Sequence, residues 1–201
     1  MPTRAKRFPM DNALRKSWTQ EEFFNWAQGQ ESRYEFDGFE PVAMTGGNAG
    51  HALGIRGLHR ALDARLRQGP CQFLGTEAGV ETINKAVRYP DALITCSKFN
   101  RADLAIPGVI VVFEVTSPSP SSIRADRIEK VAEYAAVPSI LRYVIVETAK
   151  IELTVLERTH SDEPWRTTIL SKEAILQIPE VGIEIPVAEI YEDIIASDAR
   201  G

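Results

Sequence analysis

Glu114 stands in the middle of Gly108-Val-Ile-Val-Val-Phe-Glu-Val-Thr-Ser-Pro118, a near-continuous apolar run between turn signals. Such a run suits a strand buried on both faces of a sheet. A lone carboxylate inside it would cost several kcal/mol or stay protonated, so Glu114 needs a partner. Asp91, after Tyr89-Pro90, introduces the preceding strand. Two acids on neighbouring strands can meet at one end of a sheet and share a hard divalent cation. Mg²⁺ keeps several waters, so two carboxylates are enough to hold it. Metal-assisted hydrolysis of a phosphodiester also uses a nearby basic residue, and Lys130, on the helix after the Glu114 strand, can supply it. Asp126, Lys130 and Tyr134 recur at i, i+4 and i+8 and so line one helix face. The plainer reading of that face is a surface Asp–Lys pair.

The elements that must position these groups are readable in outline. Residues 1–17 lack apolar periodicity and read as a flexible basic arm carrying Arg4, Lys6, Arg7, Arg15 and Lys16, while 18–201 read as one domain. Thr19-Gln-Glu-Glu22 fits a capping box and predicts a short helix over about 19–28. Asp37-Gly38 between Arg33–Phe36 and Phe39–Met44 predicts a two-residue hairpin, with Tyr34 and Phe36 on one face and Glu35 on another. Asn48 is the expected cap of a helix over about 49–67, where Ala52, Ile55, Leu58, Leu62 and Leu66 recur at helical spacing. That helix carries His51, a candidate substrate contact, in its first turn, and Arg56, Arg60, Arg65 and Arg67 farther along. The preceding Thr45-Gly-Gly-Asn-Ala-Gly50 lacks the spacing of a phosphate-binding loop.

Beyond it, strand pieces are expected over 72–74, 79–83 and 87–96, the last interrupted by Pro90. After the Glu114 strand, Ser117-Pro-Ser-Pro-Ser-Ser122 reads as an ordered turn into a helix over about 122–136 that Pro138 ends. A hairpin over 141–157, a strand near 165–170 and a short helix near 187–195 complete the chain.

Bulk properties set the frame. At 201 residues, 44% apolar and 25% charged, the chain has the composition of one globular domain with a substantial core. A net charge of −5 argues against a surface coated for nucleic acid, so any such contact rests on the two local basic patches. No apolar segment approaches the roughly 20 residues of a membrane span. The N-terminus lacks the apolar stretch of a secretory signal, so a cytoplasmic protein is expected. Cys71 and Cys96 form no CxxC pattern and read as separate buried thiols, neither a zinc site nor a disulfide. No GxSxG elbow frames the serines.

Taken in order, several stretches resemble the PD-(D/E)XK nuclease superfamily and, within it, the putative restriction endonuclease family called Uma2. They are Tyr34-Glu-Phe-Asp-Gly38, His51 at a helix start, Pro90-Asp91, Val112-Phe-Glu-Val-Thr-Ser-Pro118, Asp126-x-x-x-Lys130-x-x-x-Tyr134 and Arg142-Tyr-Val-Ile-Val146. The resemblance implies an α/β, restriction-endonuclease-like core, a mixed central β-sheet flanked by α-helices with an N-terminal helix and β-hairpin. It implies Mg²⁺ or Mn²⁺ held by Asp91 and Glu114 with help from the Val115 carbonyl, DNA as partner, and phosphodiester hydrolysis by an endonuclease. It is also consistent with a homodimer, since double-strand cleavage in this superfamily usually takes two active sites.

In the superfamily pattern the catalytic lysine stands two residues after the glutamate, on the same side of the strand. That residue here is Thr116. The likeness to Uma2 implies a lysine migrated to the following helix, with Lys130 in that place and Asp126 and Tyr134 holding it. Glu35 matches the family's N-terminal acid, with a role in metal or water positioning or in a structural hydrogen bond. Two other readings stand beside this one. The nuclease fold could serve binding or assembly without catalysis, or Glu114 could be a buried acid bonded to its neighbours in an unrelated α/β protein.

Overall fold

A computed structural model of the chain describes residues 17–44, 46–116 and 128–199. The basic arm, the turn at Ser117–Ser122 and the first turn of the helix expected from 122, Asp126 included, lie outside the described residues. In chain order the elements are α1 (Gln20–Ala27), β1 (Tyr34–Phe36), β2 (Pro41–Ala43), α2 (Ala49–Leu66), β3 (Gln72–Gly75), β4 (Val80–Glu81), β5 (Val87–Arg88), β6 (Ala92–Thr95) and β7 (Val109–Val115). There follow α3 (Lys130–Ala135), β8 (Arg142–Val146), β9 (Glu152–Glu157), β10 (Arg166–Ser171), β11 (Ile175–Ile178), β12 (Ile183–Pro186), α4 (Val187–Ile190) and α5 (Glu192–Asp198).

The apolar run around Glu114 becomes β7, inside a six-stranded sheet of order β10-β9-β8-β7-β6-β3. β7 pairs with β8 in parallel and with β6 antiparallel, so the sheet is mixed, and α3 falls in the connection that the parallel pair requires. Alternation along β7 divides its side chains between two layers. Val111, Phe113 and Val115 pack with Leu58 and Leu62 of α2 and Ile190 of α4, while Val112 packs with Tyr134 of α3 and Tyr143 of β8. Glu114 has the parity of Val112 and faces the α3 layer. The two-layer cover explains why β7 reads as continuous apolar sequence.

A smaller sheet, β2-β1-β5-β4, carries α1 on the Phe23, Phe36 and Val87 cluster. Thr19 caps α1 through the expected capping box, and Asn48 caps α2 by accepting from the His51 amide. The stretch 87–96 splits at Pro90 into β5 of the small sheet and β6 of the large one. Proline cannot donate to a ladder, which makes it a natural point for the chain to leave one sheet for the other.

Four expectations are corrected. The β1–β2 connection is a four-residue turn, since Phe36 pairs with Pro41, and the Asp37 carboxylate closes it by accepting from the amides of Phe39 and Glu40, each at 2.7 Å. Cys71 and Cys96 are disulfide-bonded to each other, and Cys96 is exposed. The pairing of Gln72 with Thr95 sets the two cysteines opposite one another just beyond the β3–β6 ladder, a proximity that a separation of 25 residues does not announce. The arginines of α2 are no open basic patch. Arg65 grips Glu189 with both terminal nitrogens at 2.8 and 2.7 Å, Arg56 and Arg60 share Asp193, and Arg67 pairs with Asp63. Finally, the hairpin β11–β12 was not expected, and the terminal helix is divided at Tyr191 into α4 and α5.

The approach of α2 to α4 depends on Gly57, where a Cβ would lie 2.0 Å from the backbone oxygen of Ile190. Backbone cannot yield as a flexible side chain would. Gly57→Ala is expected to destabilise the chain by about 2 kcal/mol or more, the scale of core overpacking. Gly29→Ala, whose nearest contact would be at 3.6 Å, should fold normally. Urea denaturation of both variants reads the difference.

Candidate functional site

The buried Glu114 carboxylate has two partners on α3. Its Oε1 accepts from Lys130 Nζ at 2.8 Å and from the Tyr134 hydroxyl at 3.0 Å. Lys130 and Tyr134 are one helical turn apart, which puts both on the face that α3 turns to β7. An ammonium and a phenol hydroxyl therefore supply the stabilisation that burial of the carboxylate demands. Burial first, then the charge of Glu114, pushes the Tyr134 hydroxyl well above the usual tyrosine range, so it stays a donor at neutral pH.

Asp91 lies one residue beyond the β6–β7 ladder, whose last pair is Ala92 with Phe113. This register brings Asp91 level with Glu114. Its Oδ2 accepts from the Val115 amide at 2.7 Å, so the two acids sit beside consecutive peptide units of one strand end. From the other layer, His51 Nε2 of α2 stands 3.4 Å from the same Oδ2, and His59 Nε2 is 2.7 Å from the Asp91 carbonyl oxygen. Asp91 is thus fixed through both side chain and main chain by α2, while Glu114 is fixed by α3. Thr116 carries no charge to the site and is bonded instead to the end of β8, its hydroxyl 3.4 Å from the Val146 carbonyl and 3.3 Å from Glu147 Oε2.

Glu35 of β1 reaches the same region. Its Oε1 is 3.8 Å from Lys130 Nζ and accepts from the Tyr89 amide at 3.3 Å, while its Oε2 accepts from Arg88 at 3.1 Å. Arg88 continues the chain of charges. Its Nε and second terminal nitrogen each donate to Glu133 of α3 at 2.6 Å. Burial works against the Arg88 charge, but the hydrogen bond to Glu133 and the charges of Glu35 and Glu133 outweigh it and hold the guanidinium above the ordinary arginine range.

Of the residues singled out from sequence, Glu35, Glu114, Lys130 and Tyr134 form one contact network, with Asp91 and His51 joined to its strand end through Val115. Asp126 lies outside the described residues. Sequence reasoning missed Arg88, Glu133 and His59. Arg88 stood three residues before Asp91 and Glu133 three after Lys130, and those two positions were the available signal.

The oxygen donors suit the cation that the likeness to Uma2 implies. Asp91 Oδ1 has no hydrogen-bond partner among the described residues, and Glu114 offers oxygen of the same hard type at the next peptide unit. Among the described residues no group of three or more His, Cys, Asp or Glu side chains is placed to hold a metal. Two carboxylates with water fit the habit of Mg²⁺ or Mn²⁺ and do not fit a closed zinc site.

Comparisons with known proteins bear on this arrangement. The family described as Uma2, putative restriction endonuclease, matches residues 20–188. An uncharacterised protein of Synechocystis is 25% identical over 173 residues, which is 85% of this chain and 90% of the relative. A solved structure from Anabaena variabilis, described as a putative nuclease belonging to DUF820, superposes with a TM-score of 0.66 at 10% identity, covering 88% of this chain and 99% of that one. At that identity the superposition shows a shared fold.

The Tyr134 environment gives a pH signature. In the unfolded chain the phenol titrates near 10.0, and in the fold it titrates well above. The folded state therefore retains a proton that the unfolded state loses, so this part of the stability is complete below pH 10.0 and declines as pH rises above it. Tyr134→Phe should cost about 1–3 kcal/mol near neutral pH, as loss of a buried bond to a charged group does. It should also flatten the alkaline decline. Denaturation midpoints measured from neutral to alkaline pH check both.

Proposed function

The chain belongs to the Uma2 family of putative restriction endonucleases, and we propose that it is a metal-dependent endonuclease hydrolysing phosphodiester bonds of DNA. The observation that carries this reading is the convergence of Lys130 and Tyr134 on Glu114 Oε1, with the Asp91 carboxylate bonded to the next peptide unit. It supplies the lysine that position 116 lacks.

Asp91 and Glu114 would hold Mg²⁺ or Mn²⁺. Such an ion, when bound, supplies Lewis acidity toward a phosphate oxygen and makes a neighbouring water more acidic. The chain's own residues do the rest. Lys130 carries a positive charge beside Glu114, where it can orient an attacking water or offset charge developing on the phosphate. Tyr134 fixes the carboxylate that fixes Lys130, and as a neutral donor it adds no charge of its own. Val115 N–H and His51 hold one Asp91 oxygen and leave the other for the cation. His51, at the start of α2, would also make a substrate contact. Glu35 sets a second negative charge near Lys130 and so positions the ammonium or its water. The helical arginines are neutralised within the fold, so DNA would be met at the site's own end of the sheet and by the basic arm. A homodimer, supplying one such site per strand, suits double-strand cleavage.

One observation favours a second reading. Glu114 is already compensated by Lys130 and Tyr134, so the fold needs no cation to bury it, as would suit a binding or assembly protein that keeps the nuclease-like core.

Cleavage of supercoiled, linear and single-stranded DNA with Mg²⁺ or Mn²⁺ tests the proposal. Glu114→Ala and Lys130→Ala should each lower the rate by about 10²-fold or more, the cost of losing one preorganised electrostatic group. Equal cleavage by wild type and both variants overturns it. Calorimetric titration with Mg²⁺ separates the two readings, because a binding scaffold has no need of a site that disappears in Asp91→Asn.

A further inference from the structure

Two arginines tie the helix that carries Lys130 to its neighbours. At its C-terminal end Arg158 collects the carbonyls of Ala135, Val137 and Ile140 at 2.8, 2.7 and 3.0 Å. At its N-terminal end the grip is on Glu133, one turn from Lys130. Arg88 holds both oxygens of that carboxylate at 2.6 Å, with the Thr82 hydroxyl 3.4 Å from one of them.

Arg88 does a second thing with its remaining nitrogen, which donates to Glu35 Oε2 at 3.1 Å. Among the described residues Lys130 has carboxylates on two sides, Glu114 at 2.8 Å and Glu35 at 3.8 Å. A lysine ammonium is a point charge on a flexible stem and follows the stronger attraction, whereas a guanidinium fork fixes direction. With Arg88 on Glu35, part of that acid's charge is already answered, and Lys130 settles on Glu114.

We infer that Arg88 is a positioning residue: by clamping Glu133 and engaging Glu35 together, it fixes α3 on the small sheet and directs the Lys130 ammonium to Glu114. This rests on reading Lys130 as the cation of the site. Arg88 bonds to Glu133 and Glu35 and not to Glu114 or Asp91, so it acts through its neighbours.

The test must separate positioning from simple support of the fold. Removing Arg88 alone strands two half-buried acids, so Arg88→Met is paired with Glu133→Leu, since replacing a buried ion pair by apolar groups of similar size is often tolerated. The readouts are urea denaturation, the side-chain ¹⁵N signal of Lys130 assigned by its loss in Lys130→Arg, and kcat and KM for DNA cleavage. The expected result is a folded double variant in which the Lys130 signal shifts from its wild-type position. Its kcat should fall by about 10- to 100-fold, as small misplacements of a catalytic group do, with KM unchanged. Arg88→Lys, which keeps the charge without the fork, should fall between.

A folded double variant with an unmoved Lys130 signal and unaltered kcat overturns the inference. If the double variant does not fold, Arg88→Lys decides, and an unmoved signal with unaltered kcat overturns it there. If wild type cleaves no DNA while the Lys130 signal still depends on Arg88, the nuclease reading fails and the positioning role stands.

Discussion

A carboxylate in the middle of a sheet strand is the constraint to which the rest of this structure answers. Glu114 is 4% exposed, and its neighbours along β7 are apolar. Water cannot solvate it, and the protein must. The ammonium of Lys130 and the hydroxyl of Tyr134 do so from a helix in the connection between two parallel strands. The parallel pairing of β7 with β8 is therefore more than a feature of topology. It obliges the chain to cross over the sheet, and the crossing delivers the compensating charge.

The small sheet has a corresponding purpose. Left alone, β1 and β5 are 3 and 2 residues long, with a modest aromatic cluster beneath them. Their charged residues are what tie them to the main body, because Glu35 and Arg88 project toward α3. Buried ion pairs contribute less to net stability than their number suggests, since desolvation offsets much of the attraction. What such a network does supply is direction. Each group has few alternatives, and moving one leaves another unpaired in a poorly solvated place.

The legible parts of the sequence were those where one local rule decides. The capping box at Thr19, the Asn48 cap, the apolar spacing of α2 and the buried run of β7 each fixed an element without reference to the rest. The acids and the lysine were legible because their types are unusual for where they stand, and the likeness to Uma2 placed them in order. What was hidden is non-local. The disulfide depends on the β3–β6 register, and the neutralisation of Arg56, Arg60 and Arg65 depends on α4 and α5, more than a hundred residues downstream. Arg88 was passed over, because the sequence around it does not show that Glu133 and Glu35 converge on it. The turn at Asp37 was misjudged in length for a smaller reason, since Asp-Gly favours a tight turn, but the aspartate side chain can also close a wider one.

The order in which the charged groups occur along the chain has a further consequence. Glu35, Arg88, Asp91 and Glu114 are all encoded before Lys130, so an N-terminal fragment ending after β7 holds the acids and lacks their principal cation. In such a fragment β7 would bury its apolar side chains while Glu114 lacks its bonds to Lys130 and Tyr134, a conflict between local preference and global packing. Condensation of the core and assembly of the site are then the same event, completed when the crossover helix docks. The candidate site is complete only with α3 docked, because Lys130 and Tyr134 reach Glu114 from it.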